Sequence, residues 1–310
     1  MSFSGDVKRE LAHLPPVCKD CKNAMLYGMF LMNRISRSNL TLMHTEHKPV
    51  ADCYVNLLAE ETGSIVTMII SDFNGPKQKR NYTVGAAHKE EIKEIYCHFG
   101  VDPENPERHL ERRFLKNDCC IHSFLRGVFM ACGSVTNPEK EYHLELVIGE
   151  DALAKEISAL AEECGILFRH TARKGASVLY LKESEPIEDM LTLMGAVNSS
   201  LELMNVKIYK DVRNKVNRVT NCETANIGKT VNAASVQVEQ IKLIEHTIGL
   251  NNLPDDLREL AELRLENPEM SLRELCMELS EPISRSGVNH RFKRLAAIAD
   301  EIQSKKKQDV

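Results

Sequence analysis

Two eleven-residue stretches of this chain align without a gap at an offset of 99 residues, and this repetition constrains the fold more than any other feature of the sequence. The first runs from Cys21 to Leu31 (CKNAMLYGMFL) and the second from Cys120 to Met130 (CIHSFLRGVFM). Cys21 matches Cys120, Leu26 matches Leu125, Gly28 matches Gly127 and Phe30 matches Phe129, while Met25/Phe124, Met29/Val128 and Leu31/Met130 keep apolar character. Such self-similarity points to a duplicated unit of about 100 residues. Both stretches read as helices that are apolar on most sides and therefore buried. A glycine inside a helix costs about 1 kcal/mol relative to alanine, and its usual structural reason is close approach of another backbone. The two helices are expected to pack against each other through Gly28 and Gly127 about a pseudo-twofold axis.

The rest of each copy follows one rhythm. In the first copy, residues 38–46 read as a strand, 50–63 as an amphipathic helix, 64–71 and 81–86 as strands, and 88–100 as a helix. In the second, residues 141–149 read as a strand, 150–165 as a helix, 166–171 and 177–182 as strands, and 185–195 as a helix. Gly63, Gly100, Gly165 and Gly195 close these helices as C-caps. The order is α-β-α-β-β-α, twice, with room for one more short strand after each first helix. A basic turn separates the last two strands of each copy: Lys77, Lys79 and Arg80 in one, Arg173 and Lys174 in the other. Symmetric basic turns can touch a twofold polyanion such as duplex DNA. The plainer reading, solvated hairpin charges, is preferred.

A chain of 310 residues can hold two domains, each with its own core. With 43% hydrophobic and 27% charged residues it has globular rather than disordered composition. No apolar run approaches the roughly 18–20 residues that span a bilayer, and the first sixteen residues, MSFSGDVKRELAHLPP, lack the apolar core of a signal peptide. A cytoplasmic location is expected, with the ten cysteines reduced. A net charge of −5 means that any affinity for nucleic acid must come from local basic patches.

One such patch is residues 201–222, read as a basic linker, where Lys207, Lys210, Arg213, Lys215 and Arg218 outnumber Asp211. A phosphate contact and a solvated linker helix are equally compatible with it. Residues 223–249 read as one long helix. Pro254 sits where a first helical position is expected, followed by Asp255 and Asp256 in the first turn. Leu257, Leu260, Ala261 and Leu265 form the apolar face of that helix. Ser271 and Glu274 have capping-box spacing. Behind them Leu272, Leu275, Cys276 and Leu279 make a short apolar-faced helix that stops before Pro282. Ser284 opens a last helix with Val288, Phe292, Leu295, Ala299 and Ile302 on one side. At about 100° per residue, Ser286, His290 and Lys293 face away from that side, with Asn289 and Arg294 on the flanks. Residues 284–294 contain Arg285, Arg291, Lys293 and Arg294 and no acid. A short helix, a tight turn, and a helix with an apolar back and basic front make a helix-turn-helix. Lys or Arg can donate to guanine and Asn can pair with adenine, and Ser284, Ser286 and the helix N-terminus can hold phosphates. The candidate DNA-binding residues are Arg285, Ser286, Asn289, His290, Arg291, Lys293 and Arg294; the plainer alternative is an interaction domain with a solvated basic face.

The helix around Phe124–Ser134, and more weakly Met25–Asn33, resembles the central helices of LAGLIDADG homing endonucleases. In that family two such helices pack at the pseudo-twofold, and an acid at the eighth motif position of each binds catalytic divalent metals. Alignment on the glycines puts Asn33 and Cys132 at those positions. Two-metal phosphodiester hydrolysis needs hard oxygen ligands; a thiol is a poor one. The resemblance implies the fold without the cleavage. The whole chain resembles the WhiA family of bacterial regulators more closely, through residues 124–146, 213–234, 248–279 and 284–295. It implies an α+β N-terminal domain of pseudo-twofold duplicated LAGLIDADG-like units, followed by an all-α helix-turn-helix domain. The boundaries expected are 1–200 (repeats at about 18–99 and 117–195), the linker 201–222, the helix-turn-helix domain 223–303 and a charged tail 304–310. It also implies sequence-specific binding of double-stranded DNA and a role in sporulation, cell division or chromosome segregation in a Gram-positive-type bacterium, on the nucleoid.

Other constellations carry less. Cys18 and Cys21 form a CxxC, and Cys119 and Cys120 hold the matching place in the second copy. Four sulfurs can bind zinc, but adjacent cysteines are not the usual second CxxC, so structural thiols are expected and no metal. No strand precedes the CxxC as a thioredoxin-like site requires. His13, His44, His47, His88 and His122 are scattered, and Lys305–Lys307 is a terminal charge run. No cofactor, no membrane and no small-molecule substrate are expected, while a protein partner at the N-terminal domain is. Two further readings stand beside the regulator: an active LAGLIDADG-type endonuclease, and a protein-interaction scaffold independent of DNA.

Overall fold

The computed structural model describes residues 2–33, 41–73, 79–101 and 108–308. Its internal contacts fall into two units, residues 1–211 and 212–310.

The first unit opens with a helix that the sequence reading did not single out. In α1 (Phe3–Ala12) the Ser2 hydroxyl accepts from the Gly5 amide at 3.2 Å, and Phe3, Val7 and Leu11 are buried at four-residue spacing. The two repeat helices are α2 (Cys21–Leu31) and α5 (Asp118–Cys132). Along most of their length both are buried on every side, which their composition requires. They pack against each other at the glycines. A Cβ on Gly28 would collide with the Phe124 carbonyl oxygen and lie 3.1 Å from the Val128 amide nitrogen. A Cβ on Gly127 would collide with the Met25 oxygen and lie 3.1 Å from the Met29 nitrogen. Phe124 and Val128 are the repeat equivalents of Met25 and Met29, so the pseudo-twofold holds atom for atom at the contact.

Around this pair the first copy places β1 (Thr41–Thr45), α3 (Lys48–Thr62), β2 (Val66–Phe73), β3 (Lys79–Ala86) and α4 (Lys89–Phe99). The second copy places β4 (Gly133–Val135), β5 (Leu144–Ile148), α6 (Asp151–Glu163), β6 (Arg169–Arg173), β7 (Ala176–Leu181) and α7 (Ser184–Met194). Both sheets are antiparallel, in the orders β1-β3-β2 and β4-β5-β7-β6, and the shared three-strand order repeats the duplication. The short extra strand expected after each first helix is β4 in the second copy; its counterpart in the first lies outside the described residues. Gly63, Gly100, Gly165 and Gly195 all adopt positive φ at helix ends, as expected of C-caps. Buried Arg126 crosses from α5 to α7, its Nε donating to the Met194 carbonyl at 2.7 Å.

Helix α8 (Val197–Thr247) contains both the segment read as a linker and the segment read as a long helix. Its first turn is capped by a side chain from α1: the Glu10 carboxylate accepts from the amides of Asn198 (2.8 Å) and Ser199 (3.0 Å).

The second unit has its own core. Ile241 and Ile244 of α8 pack with α9 (Asp255–Glu266), α10 (Leu272–Glu278) and α11 (Arg285–Gln308). Leu257, Leu260 and Ala261 are buried from α9, and Leu275 and Cys276 from α10. Val288, Phe292, Leu295, Ala299 and Ile302 are buried along one side of α11. The capping box forms, with Ser271 Oγ accepting from the Glu274 amide (3.3 Å) and Glu274 Oε2 accepting from the Ser271 amide (2.7 Å). Pro254 stands one position earlier than expected: its ψ of 144° is extended, so it is the N-cap and α9 begins at Asp255.

Candidate nucleic-acid interface

Ser284 starts α11, its hydroxyl accepting from the Gly287 amide at 3.2 Å. This leaves the first amides of α11 and the side chains of Arg285 and Ser286 exposed at the helix N-terminus, the end that favours an anion. Opposite the buried side, Ser286, Asn289, His290 and Lys293 are exposed along three turns. The structure separates the other two candidates from this front. Arg291 Nε lies 3.6 Å and Arg294 Nη1 lies 2.9 Å from Asp256 Oδ2 on α9. Both cations share one carboxylate. All seven residues expected at a DNA contact lie on α11; Arg291 is half-buried and the other six, Arg294 among them, are exposed. Asp256 was read from sequence as a helix-dipole acid, and nothing in its spacing shows that α11 returns to meet it.

Behind this face sits a second residue the sequence reading missed. Arg264 of α9 is 1% exposed, the largest fully buried side chain among the described residues. Its Nη1 donates to the Met270 carbonyl at 2.6 Å and approaches those of Pro268 (3.3 Å) and Asn267 (3.4 Å), and its guanidinium lies 5.4 Å from the Phe292 ring centroid. Burial lowers its pKa. It ties the turn between α9 and α10 to the back of α11.

The basic features expected elsewhere are partly spent on internal contacts. Lys207 pairs with Glu185 at 3.2 Å, and Lys210 donates to the Pro138 carbonyl at 2.6 Å and lies over the Tyr142 ring. Arg213, Lys215 and Arg218 are exposed on α8. In the second-copy turn Arg173 pairs with Glu145 at 3.2 Å, and Lys174 and Gly175 supply the two positive φ values of a tight hairpin. In the first-copy turn Arg80 is exposed, while Lys77 and the Lys79 side chain lie outside the described residues. Lys305 is exposed; the side chains of Lys306 and Lys307 are likewise outside them.

At the positions where the endonuclease resemblance places metal-binding acids, Asn33 turns its amide nitrogen back onto the Met29 carbonyl at 2.8 Å. Cys132 ends α5 near Lys8 of α1, close enough that each group's charge acts on the other's titration. Burial pushes the Cys132 thiol up to about 12 and brings Lys8 down to about 8. Below pH 8 the folded state carries the cost of burying the Lys8 ammonium, and that cost fades as pH climbs toward the ordinary lysine value of 10.5. Lys8→Met is expected to stabilise the first unit by about 2 kcal/mol at pH 7, with the gain over wild type shrinking to nothing as pH rises through that window. Melting curves at pH 7 and at alkaline pH check it; an equal difference at both would refute the assignment.

The four cysteines set aside as structural thiols converge. Cys18, Cys21, Cys119 and Cys120 place their sulfurs within 4.8 Å of one another, at the N-terminal ends of α2 and α5. The objection that adjacent cysteines are not a second CxxC was an argument from spacing, and here the pairing of two helices replaces spacing.

Comparison with known proteins agrees with this architecture. Residues 121–213 match the family model described as the WhiA LAGLIDADG-like domain, and residues 216–299 match the WhiA C-terminal HTH domain. A probable cell division protein WhiA from Carboxydothermus hydrogenoformans is 39% identical over 98% of this chain and 99% of its own length. Another from Clostridium novyi is 39% identical over 99% of this chain and all of its own. The crystal structure of full-length DUF199/WhiA from Thermatoga maritima is similar with a TM-score of 0.57 and 25% identity, covering 97% of this chain and 99% of that one.

Proposed function

This chain belongs to the WhiA family, and on that premise we propose that it is a sequence-specific double-stranded-DNA-binding regulator of cell division, sporulation or chromosome segregation, without nuclease activity. It acts in the cytoplasm of a Gram-positive-type bacterium, on the nucleoid. The observation that carries the reading is the outward face of α11: Arg285, Ser286, Asn289, His290 and Lys293 are exposed on a helix held by its own core, in a segment, 284–294, that contains no acid. Such a helix enters the major groove, where Lys and Asn distinguish guanine and adenine edges while the N-terminus and serine hydroxyls hold phosphates. Arg291 and Arg294 set the presentation through Asp256 and reach phosphates at its edge. Asn33 and Cys132, with Lys8 beside the latter, offer no carboxylate pair for a catalytic metal. The first unit exposes Ile69 and Ile70 on opposite faces of β2, apolar groups better suited to a protein partner than to phosphates.

The test is DNA binding by the full chain and by Ser286→Ala/Asn289→Ala/Lys293→Ala, on genomic fragments at two salt concentrations, with and without Mg²⁺. Each lost base contact is worth about 1–3 kcal/mol, so with the contacts of Asn289 and Lys293 gone the variant is expected to lose at least about 30-fold in selective affinity. Wild-type binding should weaken as salt rises, and the DNA should stay intact with Mg²⁺ present. Absence of wild-type binding at low salt would overturn the DNA reading. Mg²⁺-dependent strand breaks would overturn the non-enzymatic part.

A further inference from the structure

We infer that Cys18, Cys21, Cys119 and Cys120 form a tetrathiolate zinc site that joins the two halves of the duplicated unit. The four Sγ atoms lie within 4.8 Å of one another, with Cys18 Sγ 3.4 Å from Cys21 Sγ and 3.7 Å from Cys120 Sγ. A tetrahedron of sulfurs about 2.3 Å from a central Zn²⁺ has edges of about 3.8 Å. The cluster is therefore already near the size of a mononuclear site. Softness selects the same ion, since thiolates disfavour Mg²⁺ and Ca²⁺ and suit Zn²⁺.

The placement is suited to accumulated negative charge. Cys21 is the first residue of α2, and Cys119 and Cys120 stand in the first turn of α5. The first turns of both helices therefore lie at the sulfurs, where the helix dipole favours negative charge. Binding replaces four S–H bonds by four Zn–S bonds and releases four protons, leaving a site of net charge −2. The flanking Lys116–Asp20 ion pair, at 2.9 Å, is neutral as a pair. Two ligands come from each copy, and of these only Cys21 and Cys120 are repeat equivalents, so the ion bridges the copies at the end of the helix pair opposite Asn33 and Cys132. A closed set of four protein sulfurs leaves no coordination position for substrate, which makes the site structural. It clips the N-terminal ends of α2 and α5 together where no glycine contact holds them.

The full-length protein, purified anaerobically without chelator, is expected to carry one zinc per chain by elemental analysis. Cys119→Ser/Cys120→Ser should lose it, and Cys53→Ser/Cys97→Ser, altering cysteines outside the cluster, should keep it. Titration of chelator-stripped wild type with Co²⁺ is expected to give thiolate-to-cobalt charge transfer and the strong visible bands of a tetrahedral sulfur site. That spectrum reports the ligand set without depending on a variant that fails to fold. Stripping the metal should lower the melting temperature of the first unit by several degrees, and Zn²⁺ should restore it. Wild type without zinc, a weak octahedral cobalt spectrum, or a disulfide among these four residues in the anaerobic protein would overturn the assignment.

Discussion

Gly127→Ala is expected to destabilise the first unit by about 3 kcal/mol or more, lowering its melting temperature by about 10 °C. One methyl group has this effect because of what it would meet. The added carbon would overlap the Met25 carbonyl oxygen and press on the Met25 carbon and the Met29 nitrogen, both at 3.1 Å. These are backbone atoms of a buried helix, and no rotamer change can move them. Relief requires α2 and α5 to separate, which opens gaps along the rest of their interface, where packing is as dense as a crystal. Gly28→Ala should behave alike, because Phe124 and Val128 stand to Gly28 as Met25 and Met29 stand to Gly127. Gly228 supplies the contrast: it lies in α8 with no atom within 4 Å of an added Cβ. Gly228→Ala is expected to be neutral or to stabilise by up to about 1 kcal/mol through helix propensity. Thermal melts of the three variants separate close approach from propensity. A Gly127→Ala protein that melts with wild type would show that the helices do not meet there.

Arg264→Ala is expected to cost the second unit about 3 kcal/mol, a fall of at least about 10 °C for a unit of this size. Two losses add. The Met270 carbonyl loses its 2.6 Å donor, and the turn carbonyls of Asn267 and Pro268 lose their nearby guanidinium. The stem and planar head that fill the space against Phe292 are also removed, leaving a cavity behind α11. Arg264→Lys should fall between the two, keeping a charge and a stem but losing the flat fork. Arg273→Ala, on the exposed side of α10, is the control and should leave stability within about 0.5 kcal/mol. Calorimetry of the full chain checks the order. At temperatures where the Arg264→Ala unit unfolds, selective DNA binding should vanish, though Arg264 lies behind the outward face. An unshifted melt would show that the buried guanidinium contributes nothing net.

The duplication, the glycine contact and the apolar back of α11 were legible because each is a matter of period. A helix shows its buried side every three to four residues, and a repeat shows its partner at a fixed offset. Val288, Phe292, Leu295, Ala299 and Ile302 are buried as that period requires. α1 carries the same signal in Phe3, Val7 and Leu11 behind a serine cap, but its mostly polar and charged composition masks it. What stayed hidden were pairings made by tertiary approach. Asp256 meets Arg291 and Arg294 across 35 and 38 positions, and neither residue type states a partner. Arg264 sits among apolar neighbours at a helical position that reads as surface, and only the carbonyls it meets explain its burial. The cysteines were visible, but their spacing argued against them. Two helices that meet at their N-termini make adjacency in one strand of sequence irrelevant.

The α1 helix also bears on what acids at 33 and 132 would meet. Aspartate written at both positions would match the letters of the endonuclease motif but not its surroundings. A carboxylate at 132 would stand close enough to the Lys8 ammonium for each charge to act on the other, and that attraction would compete with a dication for the same oxygens. Positions 8 and 132 are thus coupled in charge across α1 and α5: an acid at 132 would relieve the buried Lys8 ammonium, and removal of the lysine would leave that acid without a partner.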